Sequence, residues 1–277
     1  MPCAVGRTAQ ACADRFGVIR RRGRCAQAQT GKAVRMATGN PARTEAHGYD
    51  RGHHHRDVSG GWLRPAVFGA MDGLVTNVSL ISGVGGGGAT AHTIVLTGLA
   101  GLAAGACSMA AGEYVSVSSQ NELIYAEVNK ERLELEHNPV AEQAELAGML
   151  CARGVSAATA QQAAAEISAQ PEKALAVHAL EELGVDPGDL PSPVVAAGAS
   201  LAAFAVGALI PLLPYLAGFH VLWASLALAG VAAIVGGGLV ARLTDRPFWR
   251  GALRQLVLGA CAAGITYQIG SLVGHVS

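Results

Sequence analysis

Five apolar stretches, each close to the length that crosses a bilayer, dictate what this chain can become. They run from about Ala66 to Val84, Thr93 to Val117, Val194 to Leu213, Gly218 to Leu243 and Ala252 to Val273. A helix needs about 20 apolar residues to span the hydrocarbon core, and in lipid only helices and closed barrels satisfy every backbone polar group. Aromatic residues make up 5% of the chain, too few for the strand positions of a barrel or sandwich. The expected class is therefore an all-α membrane protein with five transmembrane helices. A charged fraction of 14% beside 51% hydrophobic residues excludes an ordinary soluble domain, for which about a quarter is usual. It also excludes disorder over most of the chain and a nucleic-acid binder.

The net charge of zero conceals a partition. Residues 1–64 carry twelve Lys/Arg against four Asp/Glu, whereas residues 113–189 carry four against fourteen. Between the second and third apolar stretches lies an acidic segment, Gln120 to Leu190, which no membrane accepts. It reads as helices. Residues 122–137 prolong the second span until Asn138 and Pro139 stop it. Further helices run over about 140–153, from an N-cap at Ser156 to 169, and from Pro171 to Gly184. The expected organisation is a disordered basic tail over 1–63, transmembrane helices 1 and 2 over 64–119, an acidic helical metal-binding insert between helices 2 and 3 over 120–190, and transmembrane helices 3 to 5 over 191–277. The tail has no apolar core of a secretory signal, and Met36 is an alternative start.

Arginine and lysine flank the spans on one side only: Arg64 before the first, Lys130 and Arg132 after the second, and Arg242, Arg246, Arg250 and Arg254 between the last two. Gly85–Ala91 and Pro214–Gly218 carry no charge. Positive flanks face the cytoplasm, so the N-terminus and the insert are expected there and the C-terminus outside. The six cysteines form neither a CxxC pair nor a zinc spacing, which fits a reducing compartment. With no organelle signal read in the tail, the expected membrane is a prokaryotic plasma membrane.

Asp72 lies inside the first span, where a carboxylate costs several kcal/mol unless it faces a cavity, a partner or an ion path. Asp72, Thr76, Ser79 and Gly83 share one helical stripe. Pairing of Asp72 with Arg64 near the interface is the plainer reading. In the second span Gly98, Gly101, Gly105, Met109, Gly112 and Ser116 share a face of small residues, which permits close helix approach around one thioether. That sulfur suits transition metals, and Glu113 adds a carboxylate one turn on. In the insert, Glu131 with Glu134 and Glu142 with Glu145 are i, i+3 pairs, expected to bring four carboxylates together. Mutual repulsion should raise their pKa values while no cation is bound.

Three other patterns carry less. The single Glu134-x-x-His137 lacks the second copy that a di-iron bundle needs, Gly85–Gly88 is a turn with no strand before it and no Lys after it, and His47 with His53–His55 sits in the tail. No enzymatic activity is expected.

The blocks Phe68-Gly-Ala-Met-Asp-Gly-Leu-Val-Thr-Asn77 and Ser108-Met-Ala-Ala-Gly-Glu-Tyr-Val-Ser-Val-Ser-Ser-Gln120, with the insert's glutamates and Glu181-Glu-Leu-Gly184, resemble the vacuolar iron transporter family from Arg64 to the C-terminus. The resemblance implies a homodimer of five-helix protomers that exports Fe²⁺, and often Mn²⁺, from the cytoplasm in exchange for protons, with no tightly bound cofactor and no nucleic-acid partner. It implies a path lined by the first two spans, with Asp72 and Met109 at its waist, and cytoplasmic ligands at Glu131, Glu134, Glu142, Glu145 and Glu182. Plant members carry a methionine pair where this chain has His178 and Ala179. Either the imidazole replaces a thioether or the site holds one ligand fewer. A membrane-anchored metal store or sensor that does not transport is the alternative.

Overall fold

The computed structural model describes residues 61–276, and among them every regular element is helical. The tail, with Met36 and the His47 and His53–His55 residues, lies outside the described residues. Five helices are long and apolar enough to cross a membrane: α1 (Leu63–Gly86), α2 (Ala91–His137), a third span Pro193–Leu216, α8 (Leu222–Leu243) and α9 (Phe248–Gly274). Between the second and third of these in the chain come α3 (Pro139–Ala152), α4 (Ala157–Ser168) and α5 (Pro171–His178). The described residues fall into two compact units, one of Glu131–Leu183 and one comprising the residues up to Lys130 and from Gly184 onward.

In the unit of the spans, α1 is central and packs on the third span, α8 and α9. Glycine makes this possible. A Cβ at Gly69 would stand 2.6 Å from the Ser200 carbonyl oxygen, one at Gly73 2.2 Å from that of Phe204, and one at Gly207 2.1 Å from that of Ala70. The two backbones therefore touch directly, as small-residue interfaces allow where lipid supplies no hydrophobic drive between helices. Gly83 and Gly270 join α1 to α9 in the same way, and Gly237 and Gly251 join α8 to α9. The Gly73→Val substitution is expected to cost about 1–3 kcal/mol through overpacking, whereas Gly198→Ala, whose Cβ meets nothing within 4 Å, leaves stability unchanged. Thermal unfolding in detergent separates the two.

The third span is broken. Its α-helix, α6 (Pro193–Leu209), starts with Ser192 accepting from the Val195 N–H and gives way to a 3₁₀ turn at Ile210–Leu212 and the short α7 (Leu213–Leu216). In 3₁₀ geometry the donor for the Ala208 carbonyl would be Pro211, which has no N–H. The Asn77 side-chain amide, fully buried on α1, donates to that carbonyl instead. A proline facing an amide residue in a neighbouring apolar run is the sequence signal for this bond, and no role was assigned to Asn77 on sequence grounds.

In the other unit, Leu146, Ala147 and Ala164 form a small core with Ile167 and Val177 packed on it. The breaks follow local chemistry. Asn138 and Pro139 end α2 and start α3, Ser156 accepts from the Thr159 N–H to cap α4, and Gly184 takes φ +69° where the last segment ends. One feature departs from the expected single helix over Pro171–Gly184: after His178 the chain widens into a π turn, Ala179–Leu183.

Candidate metal centre

Glu131 on α2, Glu142 on α3, His178 at the end of α5 and Glu182 in the π turn each direct one ligand atom into a common space, all within 4.8 Å of one another. His178 is fully buried. Its Nδ1 lies 3.0 Å from Glu131 Oε1, 3.2 Å from Glu182 Oε1 and 3.9 Å from Glu142 Oε2. Glu131 and Glu142 are each 7% exposed, and Glu182 lies at the solvent edge. The π turn widens the helix at the point where His178 and Glu182 meet, a distortion common at functional sites. Arg153 pairs with Glu181, the neighbour of Glu182, and so neutralises the one carboxylate of that pair that stays outside the group.

Burial is the largest influence on the two inner carboxyls. It pushes Glu131 up to about 7 from its ordinary 4.5. Repulsion from Glu182, and more weakly from Glu142 and Glu134, adds to this, while His178 opposes it. Glu142 is raised in the same way, by burial first and then by Glu145. Repulsion between glutamates was the cause expected from sequence, and desolvation proves the larger.

Two buried atoms of this group have no hydrogen bond. They are His178 Nε2 and Glu131 Oε1, the latter at ion-pair distance from His178 but without hydrogen-bond direction. Buried polar groups are normally satisfied. Three carboxylates and the Nδ1 of an imidazole meeting in one space form a set of oxygen and nitrogen donors that suits a divalent first-row cation such as Fe²⁺, Mn²⁺ or Zn²⁺.

The expectation of four converging carboxylates needs correction. Glu134 and Glu145 are exposed and lie outside the group, contributing charge rather than ligand atoms. Residues three apart on a helix are offset by about 60° around its axis. Once Glu131 and Glu142 point inward, their partners stand at the rim.

In the spans, Asp72 is half-buried and accepts a hydrogen bond from Thr76 Oγ1 at 3.4 Å. Among the described residues it has no ion pair, with Arg64 or any other. The polar stripe does not run the length of α1, because its end at Gly83 is closed by Gly270 of α9. Met109 is half-buried against the cluster of Ala106, Phe204 and Ala208. Glu113 lines a cavity of about 320 Å³ with Arg64, Pro65, Val67, Phe68 and Met71. The small-residue face of α2 also divides. Gly98, Gly101 and Gly105 abut Leu212, Leu80 and Phe204, whereas Gly112 and Ser116 are open.

These features define a multi-pass helical membrane protein that carries a buried carboxylate–imidazole group fit for a divalent cation. The VIT family model matches residues 63–271, and the chain belongs to that family. It is 37% identical over 232 residues to a vacuolar iron transporter of Acanthamoeba castellanii, covering 80% of this chain and 83% of that one. Vacuolar iron transporter homolog 1 of Arabidopsis thaliana is 33% identical over 216 residues, with 77% and 84% covered. Vacuolar iron transporter homolog 5 of Oryza sativa is 37% identical over 222 residues, with 75% and 78% covered.

Proposed function

We propose that this protein carries Fe²⁺, and Mn²⁺ with it, out of the cytoplasm across its membrane in exchange for protons. The observation that carries this reading is the meeting of Glu131, Glu142, His178 and Glu182 within 4.8 Å on the segment between the second and third spans. A divalent ion binds there first, on the cytoplasmic side to which the Arg and Lys flanks of the spans assign this segment. Glu134 and Glu145 at the rim draw the ion in electrostatically. From the cytoplasm the ion also meets Glu113, and it crosses the apolar layer past the Asp72 carboxylate and the Met109 thioether.

Protons enter through the same groups. A carboxylate must shed its proton to hold a cation, so binding and proton release are linked at each acidic ligand. The relatives named as vacuolar iron transporters support the cargo, and the exposed face of α2, with Leu96, Tyr114 and Val115, supports a homodimer built around that helix.

Proteoliposomes holding the full chain test the reading. Fe²⁺ and Mn²⁺ flux should rise when a proton gradient is imposed against the metal gradient and collapse when a protonophore is added. Binding without flux would make the protein a store or sensor instead.

A further inference from the structure

The turn between α8 and α9 carries a chemistry that metal transport does not use. α8 ends at Leu243, Asp245 takes φ 51°, and Pro247 precedes the first residue of α9. Arg242, Arg246, Arg250 and Arg254 are all exposed, and among the described residues none has a carboxylate at ion-pair distance. Arg250 and Arg254, four apart on α9, repel each other. Two of the guanidinium groups are seated on aromatic rings: Arg242 lies 5.9 Å from the Phe248 ring centroid and Arg250 5.3 Å from that of Trp249. Trp249 is 60% exposed and Leu253 52%.

A surplus of positive charge alone would serve to orient the helices in the membrane. Seating guanidinium groups on ring faces does more, because it restricts their freedom while their N–H donors remain without a carboxylate partner among the described residues and can meet a phosphate oxygen pair. Spans on both sides hold the turn at the depth of the lipid headgroups. There an exposed tryptophan is at home, and an anionic lipid offers phosphate oxygens with the net negative charge that a cluster of arginines attracts.

We propose that this turn is a binding site for anionic phospholipid, its arginines on the headgroup phosphate and Trp249 with Leu253 against the glycerol and upper acyl region. The site requires neither transport nor a particular orientation.

The full chain reconstituted in phosphatidylcholine vesicles, with Trp62→Phe and Trp223→Phe leaving Trp249 as the only tryptophan and its emission excited apart from that of the tyrosines, provides the test. At equal mole fraction, brominated phosphatidylglycerol should quench Trp249 more than brominated phosphatidylcholine does. In Arg246→Gln with Arg250→Gln that enrichment should fall about fivefold for each arginine removed. Quenching by brominated phosphatidylcholine should be unchanged in the variant, which shows that the turn still sits in the bilayer. Equal quenching by the two lipids in the parent protein, or an excess that survives in the variant, overturns the proposal. So does an excess erased by inorganic phosphate but not by chloride at the same ionic strength, since the turn would then take a soluble anion.

Discussion

Fe²⁺ flux through the Asp72→Ala variant should fall about a hundredfold, while cation binding at Glu131, Glu142, His178 and Glu182 is unaltered. A charged group at the centre of a span costs about 2.5–3.5 kcal/mol on insertion scales, and each 1.4 kcal/mol is tenfold. Losing the Asp72 carboxylate, which offsets this cost for a cation passing at its depth, raises the barrier by a comparable amount. Thr76→Val removes one long hydrogen bond to Asp72, 3.4 Å, and leaves the carboxylate in place, so its flux should drop several-fold at most. Initial rates in proteoliposomes, set beside equilibrium binding of Mn²⁺ to the same preparations, give both quantities. Undiminished flux in Asp72→Ala would remove that residue from the path.

The second large effect concerns pH. With Glu131 at about 7, its proton competes with the cation throughout the mildly acidic range, and between pH 7.5 and 5.5 this one group weakens binding about 25-fold. The shift of Glu142 in the same direction steepens the dependence. Glu131→Gln should bind more weakly at pH 7.5 and show a visibly flatter profile, measured by titration calorimetry with Mn²⁺. A profile as steep as the parent's would assign the proton elsewhere.

Stability without metal follows the opposite trend. The folded protein keeps the Glu131 proton up to about pH 7, whereas the unfolded chain releases it near 4.5. This group's contribution is therefore most favourable below pH 4.5 and is lost as pH rises to about 7. Added Mn²⁺ should restore stability at neutral pH, where the carboxylate is free to bind it.

What the sequence disclosed was set by the range of the interactions involved. The spans were legible because bilayer thickness imposes a length of apolar chain, and the ends of α2, α3 and α4 because Asn138-Pro139 and Ser156 act within one turn. The glutamates marked an acidic helical segment between the second and third spans. Which of them turn inward was not legible, since Glu131 and Glu134 differ only by their offset around the helix and the choice is made by the packing of α3 and the π turn. The π turn had no local signature. Nor did the division of the α2 glycine face, because the residues opposite Gly98, Gly101 and Gly105 lie on other spans.

The glycine contacts also divide the spans mechanically. At Gly69, Gly73 and Gly207 α1 meets the third span backbone against backbone, and Gly83 with Gly270 and Gly237 with Gly251 bring α1 to α9 and α8 to α9 in the same way. Sliding at those points must deform main chain, which resists movement of these spans past one another. α2 is held differently: Gly98, Gly101 and Gly105 bear on Leu212, Leu80 and the Phe204 ring. Leu212 and Phe204 are fully buried and Leu80 half-buried, so this contact is side chain on backbone rather than backbone on backbone. The helix that bears both Met109 and Glu113 is thus fastened to the other spans by side chains, where those spans are fastened to one another at points of bare main chain.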